Sequence, residues 1–333
     1  MKAIAMFNNK GGVGKTTLVC NLASFLAKNF RKKILLIDAD PQCNSSSYVL
    51  SEEEFYAAYY SRKIPTIYEL LLPLSRGEGY SGKLKPSHAA PFGFDILIGS
   101  PKLAMMEDLL AADWSDVQGG RARGTRTTLV FDKALTEYQD YDFVFFDMGP
   151  SLGGINRAIL IASDYFMTPM SSDIFSVLAL ENIGASIETW RSIFDDGIKK
   201  LKSIDAGALE GLKDSFSIKF LGYVTQQYIA KSVQGSRVPV KAYEKIIQSI
   251  PKSIQKNIVS KINVEVQKKS IDYLLGTIPM FNSLIPMSQN SHTPIFSLTS
   301  KDGVRGSHFS NVKYYTEIIN EVAINFTKNI ESI

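Results

Sequence analysis

The sequence predicts an α/β fold with a central, mainly parallel sheet flanked by helices. Two observations predict it. Short, wholly apolar runs recur along the chain and alternate with segments of helical periodicity, as expected when parallel strands are covered on both faces. The first such run also leads through a glycine cluster directly into a helix. Ala3-Ile4-Ala5-Met6-Phe7 reads as a buried strand, and Thr17 to Phe30 as a helix with Leu18, Leu22, Phe25 and Leu26 on one stripe. Ile34-Leu35-Leu36-Ile37 is a second strand ending on Asp38, and further strands are expected at Phe94 to Ile98, Phe143 to Phe146, Tyr165 to Thr168, Ile218 to Val224 and Ile295-Phe296. Two stretches break the rhythm. Residues 51–92 open acidic and tyrosine-rich and read as an insertion, while the glycines and arginines of 113–126 read as an exposed loop. A last helix is expected over Val312 to Phe326, and the whole chain, 1–333, as one domain.

Composition narrows the function classes. Hydrophobic residues are 45% and charged residues 21% of the 333, ordinary values for a soluble globular chain. No apolar run approaches the roughly 20 residues that cross a bilayer, so no stable membrane insertion is expected. The start has no basic region, apolar stretch and cleavage site, so a secretory signal is not expected. Cys20 and Cys43 are too few for a disulfide framework. A cytoplasmic location follows from these readings.

The chemistry concentrates in Lys10-Gly11-Gly12-Val13-Gly14-Lys15-Thr16-Thr17, between the first strand and the first helix. There a loop can aim backbone N–H groups and a helix N-terminus at phosphate oxygens, and glycines permit the close approach. Gly11, Gly12, Val13, Gly14, Lys15, Thr16 and Thr17 are therefore the expected nucleotide cradle, with Lys15 on the β- and γ-phosphates and the Thr16 hydroxyl on Mg²⁺. Asn9 stands where the usual pattern begins with glycine. Two carboxylate motifs follow. Asp38-Ala39-Asp40-Pro41-Gln42 ends the second strand, at the edge where open α/β sheets bind ligands. Asp147 ends the run Phe143-Val144-Phe145-Phe146, where a carboxylate can hold a Mg²⁺-bound water.

The loop, with its additional lysine at Lys10, resembles the K-G-G-x-G-K-T signature of the ParA/MinD family of deviant Walker A ATPases. The resemblance extends through D-x-D-P-Q at Asp38 to Gln42 and a switch segment, Asp147 to Gly153, in which Gly149 replaces the usual first proline. Ile278-Pro279-Met280 resembles the family's I-P-R turn over adenine, with Met280 in place of arginine. The resemblance implies a P-loop fold that binds ATP and Mg²⁺. It implies that Lys10 reaches the phosphates of a partner in an ATP-dependent homodimer, that Asp40 orients the attacking water, and that Asp38 supports the metal shell held by Thr16 and Asp147. Pro279 and Met280 would bound the base.

Charge is unevenly spread. Residues 231–269 carry nine basic side chains against Glu244 and Glu265, although the whole chain is only +4. Lys241 and Lys245, and Lys252 and Lys256, recur four residues apart and share a helix face. Such a face binds phosphate backbones without sequence preference. In the family this region contacts non-specific DNA, so the expected function is an Mg²⁺-dependent ATPase that positions plasmid, chromosome or other cargo on the nucleoid. A ParB-like or other cargo adaptor is then expected to stimulate a hydrolysis that is weak alone. Two alternatives stay open: a MinD-like membrane-surface ATPase, which the single basic residue of 325–333 serves poorly, and a metabolic P-loop enzyme of the dethiobiotin-synthetase type.

Overall fold

A computed structural model describes residues 1–80, 82–228, 230–233, 236–239, 241–266 and 271–333. Eight strands form one sheet: β1 (Lys2–Met6), β2 (Ile34–Ala39), β3 (Ser87–Ala89), β4 (Phe94–Leu97), β5 (Phe143–Met148), β6 (Tyr165–Ser171), β7 (Lys219–Tyr228) and β10 (Leu274–Pro279). Between the last two lies a hairpin of β8 (Ala230–Val233) and β9 (Ser236–Pro239). The spatial order is β10-β7-β6-β1-β5-β2-β4-β3, and every pairing is parallel except β3 with β4. The mainly parallel α/β sheet read from the sequence is therefore the observed fold.

The connections supply thirteen helices among the described residues: α1 (Lys15–Phe30), α2 (Asn44–Val49), α3 (Glu52–Tyr59), α4 (Ile67–Ser75), α5 (Glu107–Gln118), α6 (Ala122–Thr128), α7 (Val130–Leu135), α8 (Gly154–Ala162), α9 (Ile174–Ile204), α10 (Lys241–Ile254), α11 (Ser260–Ile262), α12 (Leu284–Asn290) and α13 (His308–Ser332). Strand alternation divides the core into two layers. Ala3, Ala5, Leu35, Ile37, Val144 and Phe146 pack toward α5, α8 and α9. Ile4, Met6, Leu36, Phe143 and Phe145 pack toward α1 and α13. On that second face Phe326 meets Phe143 edge-on at 5.3 Å. Among the described residues no helix is long and apolar enough to cross a membrane.

Three expectations are corrected. Ile295 and Phe296 form a short 3₁₀ turn, Ile295–Ser297, since Ile295 is drawn into the core and its N–H donates to Asn21 Oδ1 at 2.8 Å. Residues 113–126 are not a loop. They belong largely to α5 and α6, and Gly124 is small because a Cβ there would stand 2.4 Å from Asp116 Cβ. The stretch Leu274 to Pro279, read only for its final turn, is an edge strand; Gly276 gives Val322 of α13 its space. Residues 51–92 hold α3, α4 and the antiparallel strand β3.

The 31-residue helix α9 lies close against α5 at Gly197, where a Cβ would sit 2.0 Å from the Val117 carbonyl oxygen. Alanine would gain about 1 kcal/mol of helix propensity. It would also force two backbones apart, at the upper end of the ~1–3 kcal/mol typical of overpacking. Gly197→Ala should therefore lose about 2 kcal/mol of stability, read as a lower urea midpoint at unchanged slope; a midpoint at or above wild type would refute the tight crossing.

Candidate nucleotide site

β1 runs out at Met6 and the loop that follows turns into α1. Gly12 and Gly14 take positive φ, 72° and 81°, and Gly14 caps α1. No acidic residue occupies the first turn of α1, so its N-terminal N–H groups face the cavity with their positive end uncompensated. The cavity holds about 540 Å³, within the range of small-molecule sites. Gly11, Gly12, Val13, Gly14, Lys15, Thr16 and Thr17 line it on one side, and Asp40, Pro150 and Gln289 elsewhere. The seven loop residues expected to cradle phosphate are thus together around one space.

Lys15 is buried, and its ammonium donates to the carbonyls of Asn8 at 3.2 Å and Lys10 at 3.1 Å. Burial lowers its pKa, and the carboxylates of Asp147 and Asp40 oppose that shift. Thr16 donates its hydroxyl to Asp147 Oδ2 at 2.7 Å, and Ser45 donates to the same oxygen at 2.6 Å. The other Asp147 oxygen is buried and without a partner among the described residues. A carboxylate with one oxygen held by the loop threonine and the other vacant fits a hydrated divalent cation.

Asp38 faces Asp147 across paired strands and is wholly buried. Its Oδ2 accepts from Ser46 N at 2.8 Å and Ser46 Oγ at 2.7 Å, fixing the start of α2. Asp40 reaches the cavity, and its Oδ1 accepts from Gln42 N at 2.9 Å. Gly149 lies beside it, where a Cβ would stand 3.4 Å from Asp40 Oδ1. Pro279 and Met280 sit at the end of β10, and Met280 is exposed.

Lys10 is drawn away from Lys15. Its ammonium pairs with Asp173, which caps α9, and donates to Ser171 Oγ at 3.2 Å. Burial alone would raise the Asp173 pKa, but the hydrogen bonds from Lys10 and Ser171 outweigh it and hold the carboxyl low. Beside this pair Ile174, Phe175 and Leu178 are exposed. Lys245, Lys252 and Lys256 lie on α10 and its π-helical continuation, Gln255–Val259, with Lys252 and Lys256 exposed, whereas Lys261 is paired with Glu188 at 3.0 Å. The side chain of Lys241 and residues Lys268 and Lys269 lie outside what the structure describes.

Several residues of the site escaped sequence reasoning. Asn8 braces the loop, donating to the Pro169 carbonyl at 2.7 Å and accepting from Lys10 N. Ser45 and Ser46 serve the two buried aspartates, and their signal was the polar run Asn44-Ser45-Ser46-Ser47 right after the first carboxylate motif. Past the switch segment, Glu107 of α5 accepts from the N–H groups of Gly154 and Ile155 and so caps α8. One turn on, the Arg157 guanidinium lies 4.2 Å from the Trp114 ring and 5.9 Å from the Trp190 ring.

Residues 1–200 match the family model described as AAA domain. The chromosome-partitioning ATPase Soj of Thermus thermophilus is 30% identical over 192 residues, 58% of this chain and 64% of that protein. The virulence plasmid ParA family protein pGP5-D of Chlamydia psittaci is 30% identical over 184 residues, 55% and 62% of the two chains. The chain thus spans a little under two thirds of the length of these relatives. Among solved structures, protein DIP2308 from Corynebacterium diphtheriae is similar over 99% of both chains, with 29% identity and a TM-score of 0.76.

The two buried aspartates give the site a pH signature. Burial raises Asp38 to about 8 and Asp147 to about 6, each further raised by neighbouring carboxylates. Unfolded, both ionise at about 3.9. Folding therefore favours the protonated carboxyls, and stability falls as pH rises from about 4 toward 8. In EDTA, the melting temperature should drop across this window, and Asp38→Asn should flatten the drop. Parallel pH profiles for the two proteins would show that Asp38 carries no such load.

Proposed function

The chain belongs to the AAA domain family and is of the ParA type with a deviant Walker A loop, and from that premise we propose that it is an Mg²⁺-dependent ATPase whose ATP-bound dimer binds DNA and positions cargo. The observation that carries this reading is the pair of lysines on one loop. Lys15 lies against the cavity, while Lys10 is turned to Asp173 beside an exposed apolar patch. A second cation that leaves its own site is suited to the phosphates of a facing protomer.

The backbone N–H groups of Gly11 to Thr17 and the Lys15 ammonium would hold the β- and γ-phosphates. Thr16 and Asp147 would hold Mg²⁺, which supplies charge compensation on the phosphate oxygens, with Asp38 ordering α2 behind them. Asp40 stands in the cavity beside Pro150 of the switch segment, where it can orient a water for in-line attack. Pro279 and Met280 would bound the base next to α12. On ATP binding Lys10 would exchange Asp173 for the partner's phosphates, so that dimerisation completes the site. DNA would then meet Lys245, Lys252 and Lys256 of both protomers, and Lys241 with them. The basic face suits a cytoplasmic, nucleoid-associated role with an adaptor that stimulates hydrolysis.

Lys10→Ala should keep ATP affinity near wild type and lose both the ATP-dependent dimer in light scattering and hydrolysis. Asp40→Ala should keep the dimer and slow hydrolysis by orders of magnitude. An ATP-dependent dimer that survives in Lys10→Ala would overturn the reading of that lysine.

A single basic face gives non-specific affinity of about 10⁻⁶ M at best, and pairing two faces can raise it by roughly 10²-fold. Replacing Lys252 and Lys256 by Glu should weaken binding to unrelated duplexes equally. The slope of log affinity against log salt should fall by about 0.9 for each phosphate no longer neutralised. Equal affinity with ATP and ADP, or full binding by the double variant, would leave α10 an ordinary solvated surface.

A further inference from the structure

A second cavity, about 710 Å³, opens at the opposite edge of the sheet from the nucleotide loop. The N-terminus of α4 is tied to the end of β4 through Ile67 N and the Ile98 carbonyl, so its other end, Leu74 to Tyr80, lies toward the starts of the strands. There it meets α6, α7 and the segment after α9. The floor is apolar, with Leu74, Val130 and Leu212, and Val130 is almost wholly out of solvent. The rim is cationic, with Arg123, Arg126 and Lys133 against Glu210 alone.

The charge of this lining suits an anion. Arg126 donates Nε to the Ala208 carbonyl at 3.1 Å, which fixes its guanidinium, and its remaining donors have no hydrogen-bond partner among the described residues. Arg123 and Lys133 have no ion-pair partner among the described residues. Tyr80, which also lines the space, has a hydroxyl removed from solvent and without a hydrogen-bond partner among the described residues. An apolar floor with a few convergent donors is the composition of a small-molecule pocket rather than of a solvated rim.

We propose that this cavity is a second ligand site, separate from the nucleotide loop, for a small amphipathic anion: an apolar or aromatic body carrying a carboxylate, sulfonate or phosphate. The apolar part lies on Leu74, Val130 and Leu212, and the anionic group meets Arg123, Arg126 and Lys133. Nucleotide at the loop leaves this site open, since the two cavities share no lining residue.

The test is fluorescence titration of the full chain with 1-anilinonaphthalene-8-sulfonate in saturating ADP, beside its neutral analogue N-phenyl-1-naphthylamine. The sulfonate should bind saturably, once per chain, without displacement by ADP, and at least tenfold tighter than the neutral compound. Arg123→Glu with Lys133→Glu should weaken it tenfold or more, and so should Ala122→Trp, which fills the cavity from the start of α6. Unchanged ADP affinity and melting temperature establish that each variant is folded; if one is not, the other carries the test. Displacement by ADP, equal binding of the neutral compound, or full binding in a folded variant would overturn the proposal.

Discussion

The candidate nucleotide site hangs on one oxygen. Asp147 Oδ2, at the end of a central strand and wholly buried, accepts the hydroxyls of Thr16 and Ser45. Through it the first turns of α1 and α2 are tied to the sheet, and the glycine loop between β1 and α1 is held over the strand ends. Buried carboxylates are costly unless paired or protonated, and here donors from the very helices that must be positioned offset part of that cost. Asp38 repeats the device one strand away, with Ser46 as its donor. The absence of a side chain at Gly99 belongs to the same arrangement, because a Cβ there would stand 2.8 Å from the Asp38 carboxyl.

How much of this was legible depends on the range of the interactions. The glycine loop, Asp40 and Asp147 could be read because their chemistry lies within a few residues of the strand that carries them. The partner of Lys10 could not. Asp173 is 163 residues away, and only the adjacency of β1 and β6 brings the two together. Asp38 was placed at the right strand end, but its direction was set by the start of α2, which no periodicity announces in six residues.

The misread segments share a cause. Glycine reads in a sequence as a sign of loops or strand ends, whereas Gly124 and Gly276 are sites of close packing inside regular elements. Gly276 interrupts the apolar pattern of β10 because Val322 of α13 occupies the place of its side chain. Ile295-Phe296 failed in the opposite sense: two apolar residues are too few to set a period, and burial of Ile295 was satisfied by a single 3₁₀ turn. Tertiary packing decided each of these.

The seat of Arg157 has an optical consequence. The chain contains two tryptophans, and both rings flank this one guanidinium on α8, the helix that the switch segment feeds and Glu107 caps. Trp114 belongs to α5 and Trp190 to α9, so the three helices meet at a single chromophoric spot. The tryptophan emission of the protein, excited apart from its 15 tyrosines, is therefore a local signal and not an average over the molecule. It reports the register of α8 against its two neighbours, without a label and without a substitution.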